Sequence, residues 1–169
     1  MTSTSRSASD PVSSNPDALS DREQILALHP RYGRANDNRD ASLIATVFTD
    51  DVSVRYNPIP GDTFGITING LTEFIEFQAR AMEHMDCLHQ FTNFECEIDG
   101  SDGSYMCLGY AQHWPRASDF TGHVPLYTVG MRYEAQVRRT ADGWRTSQLV
   151  GTPVWASGDN VVMNHTKSL

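Results

Sequence analysis

Three side chains in this sequence could together move a proton: Asp37, His89 and His113. Acid–base chemistry needs a base, an acid, and a group that holds the base in one tautomer. A carboxylate on the Nδ1–H of an imidazole does the last job and stabilises the imidazolium as it forms. A second histidine could hand a proton to a leaving group, and such transfers accelerate reactions by roughly 10²- to 10⁴-fold. Tyr32 and Tyr56 are candidates to donate to a carbonyl oxygen as it becomes an enolate, Asn93 to orient a substrate, and Tyr127 and Trp114 to contact it. Each residue also has a purely structural use: a hydrogen-bonded core histidine, an aspartate ending a helix, a tyrosine with one polar tip. Spacing alone does not separate the two uses.

Other chemistries find less footing. His84, His89, His113 and Asp37 could be assembled as metal ligands, but HExxH and paired CxxC spacings are absent, and no metal is expected. There is no GxSxG nucleophile motif, no GxGxxG and no Walker sequence, so no cofactor is indicated. His29, His123 and His165 are left as surface or packing residues.

The elements that must position these groups begin with Leu88–Trp114, which reads as two β-strands around the polar loop Asp99–Gly103. If Ile98 faces Ser104, counting back sets His89 opposite His113. Opposed residues on an antiparallel pair point to the same side, with Cβ atoms about 4.5–5.5 Å apart. A slip of one residue would separate the two rings. Asn93 falls on the face of His89. Tyr105, Cys107, Gly109 and Ala111 share the face of His113, and being mostly small they could leave that side hollow.

Upstream, Ser20 to Glu23 has capping-box spacing, and Ile25, Leu28, His29 and Tyr32 fall on one helical face. Pro30 predicts a kink that re-aims the turn carrying Tyr32 and Asp37. Asp40 can cap a second helix over Ala41–Phe48, and Thr72 a third running to about His84. Val52, Val54 and Tyr56 alternate as a strand. Pro125–Arg139 forms a long strand with Tyr127, Val129, Met131, Tyr133, Ala135 and Val137 on one face; Asp142-Gly143 turns it into a last strand, Trp144–Val154. Residues from Ala156 onward look irregular. Three helices ahead of antiparallel hairpins predict an α+β domain, with helices on one face of a strongly curved, antiparallel or mixed sheet that encloses a pocket.

With 169 residues, the chain is expected to hold a disordered lead-in over 1–19, one domain over 20–155 and a tail over 156–169 that could cover the pocket. The net charge of −8 argues against nucleic acid as a partner, and no apolar run approaches the ~20 residues that span a membrane. The first 20 residues contain no apolar segment of the kind a signal peptide needs, and Thr2–Ser9 is polar and of low complexity. Cys87, Cys96 and Cys107, odd in number and without CxxC spacing, suggest reduced thiols in a cytoplasmic protein.

Tyr32-Gly33-Arg34-Ala35-Asn36-Asp37, with Val47-Phe48-Thr49-Asp50-Asp51-Val52, resembles the opening of SnoaL-like proteins, members of the cone-shaped α+β superfamily that also holds nuclear transport factor 2, scytalone dehydratase and ketosteroid isomerase. His89-Gln90-Phe91-Thr92-Asn93, Ala111-Gln112-His113 and Asp142-Gly143-Trp144-Arg145 also fit. The resemblance implies the cone fold over roughly Leu19 to Trp155 and a homo-oligomer, trimer or dimer. In site pattern the chain is similar to scytalone dehydratase and the bile-acid dehydratases, sharing a histidine at the His113 position with the former and the Tyr32-to-Asp37 spacing with the latter. That implies catalytic roles for Asp37, His89, His113 and Tyr32. The expectation is a cofactor-free dehydratase acting on a hydrophobic polyketide-, steroid- or terpenoid-like carbonyl compound. Isomerisation or cyclisation would begin with the same proton abstraction, and a non-catalytic accessory module on the same fold is the alternative from another class. An open pocket where Asp37, His89 and His113 meet would favour the enzyme; a cone filled by Phe and Met, the module.

Overall fold

The Ser20 side chain accepts from the Glu23 backbone while the Glu23 carboxylate receives the Ser20 N–H at 2.8 Å, and this reciprocal cap starts α1, Asp21–Leu26. The computed structural model describes residues 19–59, 61, 63, 65–116 and 126–158. The expected lead-in, the loop after Pro115 and most of the tail therefore lie outside the described residues. The single first helix predicted from sequence is two helices. The break falls at Ala27, and α2 runs Leu28–Asn38 with Pro30 in its first turn, where an N–H has no partner within the helix and proline costs little. Proline, with no N–H to offer the Leu26 carbonyl four residues back, accounts for the interruption between α1 and α2. Ile25, Leu28, His29 and Tyr32 are all buried, as their spacing predicts.

Asp40 caps α3, accepting from the Leu43 N–H at 2.9 Å, but α3 is only Ala41–Ala45; Phe48 already belongs to strand β1, Phe48–Tyr56. A short strand not foreseen in the sequence, β2 (Ile66–Asn69), precedes α4 (Leu71–Ala81). The cap of α4 is Gly70, at φ 92°, and not Thr72, which sits inside the helix. Strands β3 (Met85–Asp99), β4 (Asp102–Pro115), β5 (Tyr127–Thr140) and β6 (Gly143–Gly158) form the long hairpins. Ala156 to Gly158 continue β6 and are not irregular.

The six strands make one open sheet in the order β2-β1-β6-β5-β4-β3, antiparallel except where β1 meets β6. Helix α1 packs on both β3 and β6, α2 on β3, and α4 on β1 and β2. The curved sheet therefore wraps the helices, and the core lies on its inner face. The face of β5 read from the sequence, Tyr127 through Val137 at every second residue, is buried throughout. On the outer face Trp155 lies across Gly130, where a side chain would meet the indole at 2.2 Å.

The β3–β4 register differs from the expectation at two places. The turn is tighter, pairing Asp99 with Asp102, and a bulge interrupts the ladder between Thr92 and Glu95. Each change shifts the pairing by one residue. Cys87, rather than His89, lies opposite His113, and His89 faces Ala111. A one-residue slip would have put the rings on opposite faces, but two of them restore the face.

Candidate active site

Asp37 lies in the last turn of α2 and reaches across to β3. His89 Nδ1 is 2.6 Å from Asp37 Oδ1, and the His89 backbone N–H donates to Oδ2 at 3.2 Å. Because an ionised carboxylate can only accept, the ring proton is on Nδ1 and the lone pair is left on Nε2. Two features make the contact feasible. Gly33, one turn before Asp37, has no side chain where a Cβ would meet Phe91 Cε2 at 2.3 Å and His89 Cβ at 3.2 Å, so α2 can lie flat on β3. Arg39 adopts φ 55° at the end of α2 and its guanidinium holds the Met82 carbonyl at 3.0 Å and Asp86 at 2.6 Å, tying that end to the approach of β3.

His113 enters from β4 on the same face. Its ring centroid is 5.7 Å from that of His89, edge to face. The two rings line a cavity of about 210 Å³ with Tyr32, Tyr56, Tyr127, Tyr133, Gln78, Asn36, Met82, Met85, Phe77, Met131 and others. Its wall is largely apolar, with polar groups gathered in two places.

The second polar group was not foreseen in full. Tyr32 Oη and Tyr56 Oη are 2.6 Å apart, Gln78 Nε2 donates to Tyr32 Oη, and the same nitrogen is 3.2 Å from Asn36 Oδ1. Gln78 and Asn36 are buried. The available signal was a polar side chain on the apolar stripe of each amphipathic helix, Gln78 between Phe74 and Ala81, and Asn36 beside Tyr32 and Ala35.

Burial works to raise the Asp37 carboxyl; the His89 ring bond, the attraction to that ring, the His89 N–H and the Cys87 thiol outweigh it, and the group ends below the usual carboxylate value. His113 is pushed down to about 4, by burial first and by His89 second, so it is neutral near pH 7. Burial raises Tyr32 to about 12 and Tyr56 well above its ordinary value, so both are proton-bearing donors. His29, set aside as a surface or packing residue, is deep in the core: its Nδ1 is 2.9 Å from Tyr105 Oη, and burial followed by His89 takes it down to about 3.

Two expected substrate contacts are displaced. Asn93 is the bulge residue, at φ 55°, exposed and bonded to Thr92 Oγ1 at 3.0 Å; the bulge turns it off the face of His89. Trp114 follows His113 directly and alternation sends it to the outer face, away from the cavity wall. Tyr56 and Tyr127 do line the cavity. Among the described residues, the trio whose ligand atoms come within 4.8 Å of one another is Asp37, Cys87 and His89, not the set suggested by sequence. Its Nδ1 and carboxylate are already bonded to each other, and burial pushes the Cys87 thiol up to about 12, a poor starting point for a thiolate ligand.

A family model described as a SnoaL-like domain matches residues 17–150. The Kfla4162 protein from Kribbella flavida has a similar solved structure, 24% identical with TM-score 0.70, covering 81% of this chain and 93% of its own. A candidate scytalone dehydratase from Novosphingobium aromaticivorans is 15% identical with TM-score 0.67, over 82% of this chain and 87% of its own. The hexachlorocyclohexane dehydrochlorinase LinA-type3 from Novosphingobium barchaimii is 16% identical with TM-score 0.65, over 82% and 89%. A search of curated protein sequences finds no match.

Proposed function

The chain belongs to the SnoaL-like family, and from that premise we propose that it is a cofactor-independent acid–base enzyme, a dehydratase that removes water from a hydrophobic β-hydroxy carbonyl compound. The observation that carries the reading is the 2.6 Å bond by which Asp37 fixes the tautomer of a histidine in the wall of an open, largely apolar cavity. A cavity of this kind supports catalysis over the accessory module, whose cone would be filled. At about 210 Å³ it favours a one- or two-ring compound over a four-ring steroid skeleton, since a cavity of about 150 Å³ takes up benzene.

In this reading His89 Nε2 takes the proton next to the carbonyl, and Asp37 stabilises the imidazolium that forms. Tyr56, backed by Tyr32, Gln78 and Asn36, donates to the oxygen as charge builds on it. His113, neutral at working pH, stands beside the departing hydroxyl as a polar neighbour instead of supplying a full proton. That proton comes from the His89 imidazolium, so water leaves with the hydrogen that His89 removed. Isomerisation and cyclisation share the first step.

The test follows that first step. Cyclic ketones and β-hydroxy ketones of one and two rings are incubated with the protein in D₂O, with exchange next to the carbonyl read by mass spectrometry and enone formation by absorbance. Exchange and enone formation are expected, falling ~10²- to 10⁴-fold in His89→Ala and in Asp37→Asn. Full activity in either folded variant would remove the assignment, and exchange without enone would favour isomerisation.

A further inference from the structure

Proton transfer as proposed leaves one polar neighbour of Asp37 without a role. Cys87 lies two residues before His89 on β3, so both side chains face inward. It is 7% exposed and lies directly opposite His113. Its Sγ, an Asp37 oxygen and a His89 ring nitrogen lie within 4.8 Å of one another. In the structure Cys87 Sγ donates to Met82 Sδ at 3.6 Å; the thiol proton turns freely about the Cβ–Sγ bond, and of its two neighbouring acceptors a thioether accepts weakly and a carboxylate strongly.

We propose that Cys87 is a positioning residue of the Asp37–His89 pair: its thiol donates to the Asp37 carboxylate and, with the two N–H groups of His89, fixes the plane in which that carboxylate meets Nδ1. The inference rests on reading Asp37 and His89 as the working pair. A carboxylate carried by the end of a helix can swing about its side-chain torsions. Donors from Cys87 and His89 on one strand remove that freedom before substrate arrives, which is the kind of preorganisation a fixed tautomer needs.

The surroundings keep the thiol a donor. Burial first, and then the negative Asp37, push it up to about 12; Asp86 acts the same way and Arg39 opposes. Cys87 therefore stays protonated across the working range, and its bond is one of those that hold the Asp37 carboxyl low. The relation is reciprocal: neutralising Asp37 must ease ionisation of the thiol, and deleting the thiol must raise Asp37.

Both directions can be measured without a substrate. Iodoacetamide alkylation of Cys87 at pH 8, followed by peptide mass mapping with Cys107 as the internal reference, should be about tenfold faster in Asp37→Asn, because the thiolate is the reactive form. In ¹³C-carboxylate titrations the Asp37 midpoint should rise by roughly half a unit or more in Cys87→Ala and return in Cys87→Ser. A side chain that merely fills space would give equal midpoints in the two variants. An unchanged Asp37 midpoint in Cys87→Ala, or unchanged Cys87 alkylation in Asp37→Asn, overturns the proposal. A far-downfield proton resonance from His89 Nδ1–H reports the pair itself. If it persists while either of those results holds, only the role of Cys87 falls. If wild type lacks it, the pair falls.

Discussion

Asp37 is a poor choice for its place by local rules. It sits in the last turn of α2, where the helix dipole is negative and a carboxylate is disfavoured by about 0.3–1 kcal/mol. What offsets that cost is tertiary: the His89 ring and its backbone N–H converge on it. A locally unfavourable residue that gains its partners only on folding is a reasonable mark of a working site. Two buried histidines carry a separate consequence. His29 is down to about 3 and His113 to about 4, both from burial first. A folded-state value below the unfolded one means that the unfolded chain binds the proton more readily. The stability these rings contribute is thus fully present above about pH 6.5 and is lost as pH falls toward the folded values. By pH 5 each should cost about 2 kcal/mol. Thermal unfolding should show Tm dropping between pH 6.5 and 4.5, and His29→Phe should flatten that drop. The Asp37 contribution fades only lower, as pH falls below the ordinary 3.8 of a carboxyl.

At the level of elements, the pair depends on how closely α2 approaches β3. Gly33 permits that approach, and Gly33→Ala would push a methyl group into Phe91. Overpacking of this kind costs about 1–3 kcal/mol, which urea unfolding would report, and the same displacement should lengthen the Asp37–His89 bond and lower turnover more than it raises KM. The bulge in β3 is the second device. It uses Asn93 at φ 55°, a conformation that asparagine tolerates and β-branched residues do not. Asn93→Val should lose about 1–2 kcal/mol in urea unfolding, and Asn93→Gly should lose little or nothing. With the bulge in place, His89 and Phe91 before it and Phe94 and Cys96 after it all turn inward.

The molecule as a whole is a curved sheet with helices packed on its concave face, and the cavity lies between them, walled by α2 and α4 as well as by the strands. No described helix is long and apolar enough to cross a membrane, and Cys87, Cys96 and Cys107 are free thiols. The cavity is where architecture and chemistry meet, and filling it should separate them. Ala111 is 3% exposed, lines the cavity and pairs with His89 across the ladder. Ala111→Leu should leave circular dichroism and Tm within a few degrees of wild type while reducing exchange and turnover by ~10²-fold or more. Loss of folding in place of loss of activity would show that this space is core and not a binding site.

Periodicity determined much of this in advance. The buried stripe of the first helices, the inward face of β5, the caps at Ser20 and Asp40 and the turn near Asp142-Gly143 are local facts, fixed by spacing and by backbone preference. The residues that could move protons were also legible, because few side chains titrate usefully. Pairing was not. The bulge after Thr92, the tight turn at Gly100-Ser101, the short β2 and the break at Ala27 each change a count by a residue or two, and no window of sequence records how far one strand slides past another. The sharing of Asn36 and Gln78 with the two tyrosines, and of Asp37 with the His89 ring and N–H, joins elements far apart in the chain. Contacts of that sort exist only once the sheet has closed around the helices, since burial turns a polar side chain on an apolar stripe into a partner that must be satisfied.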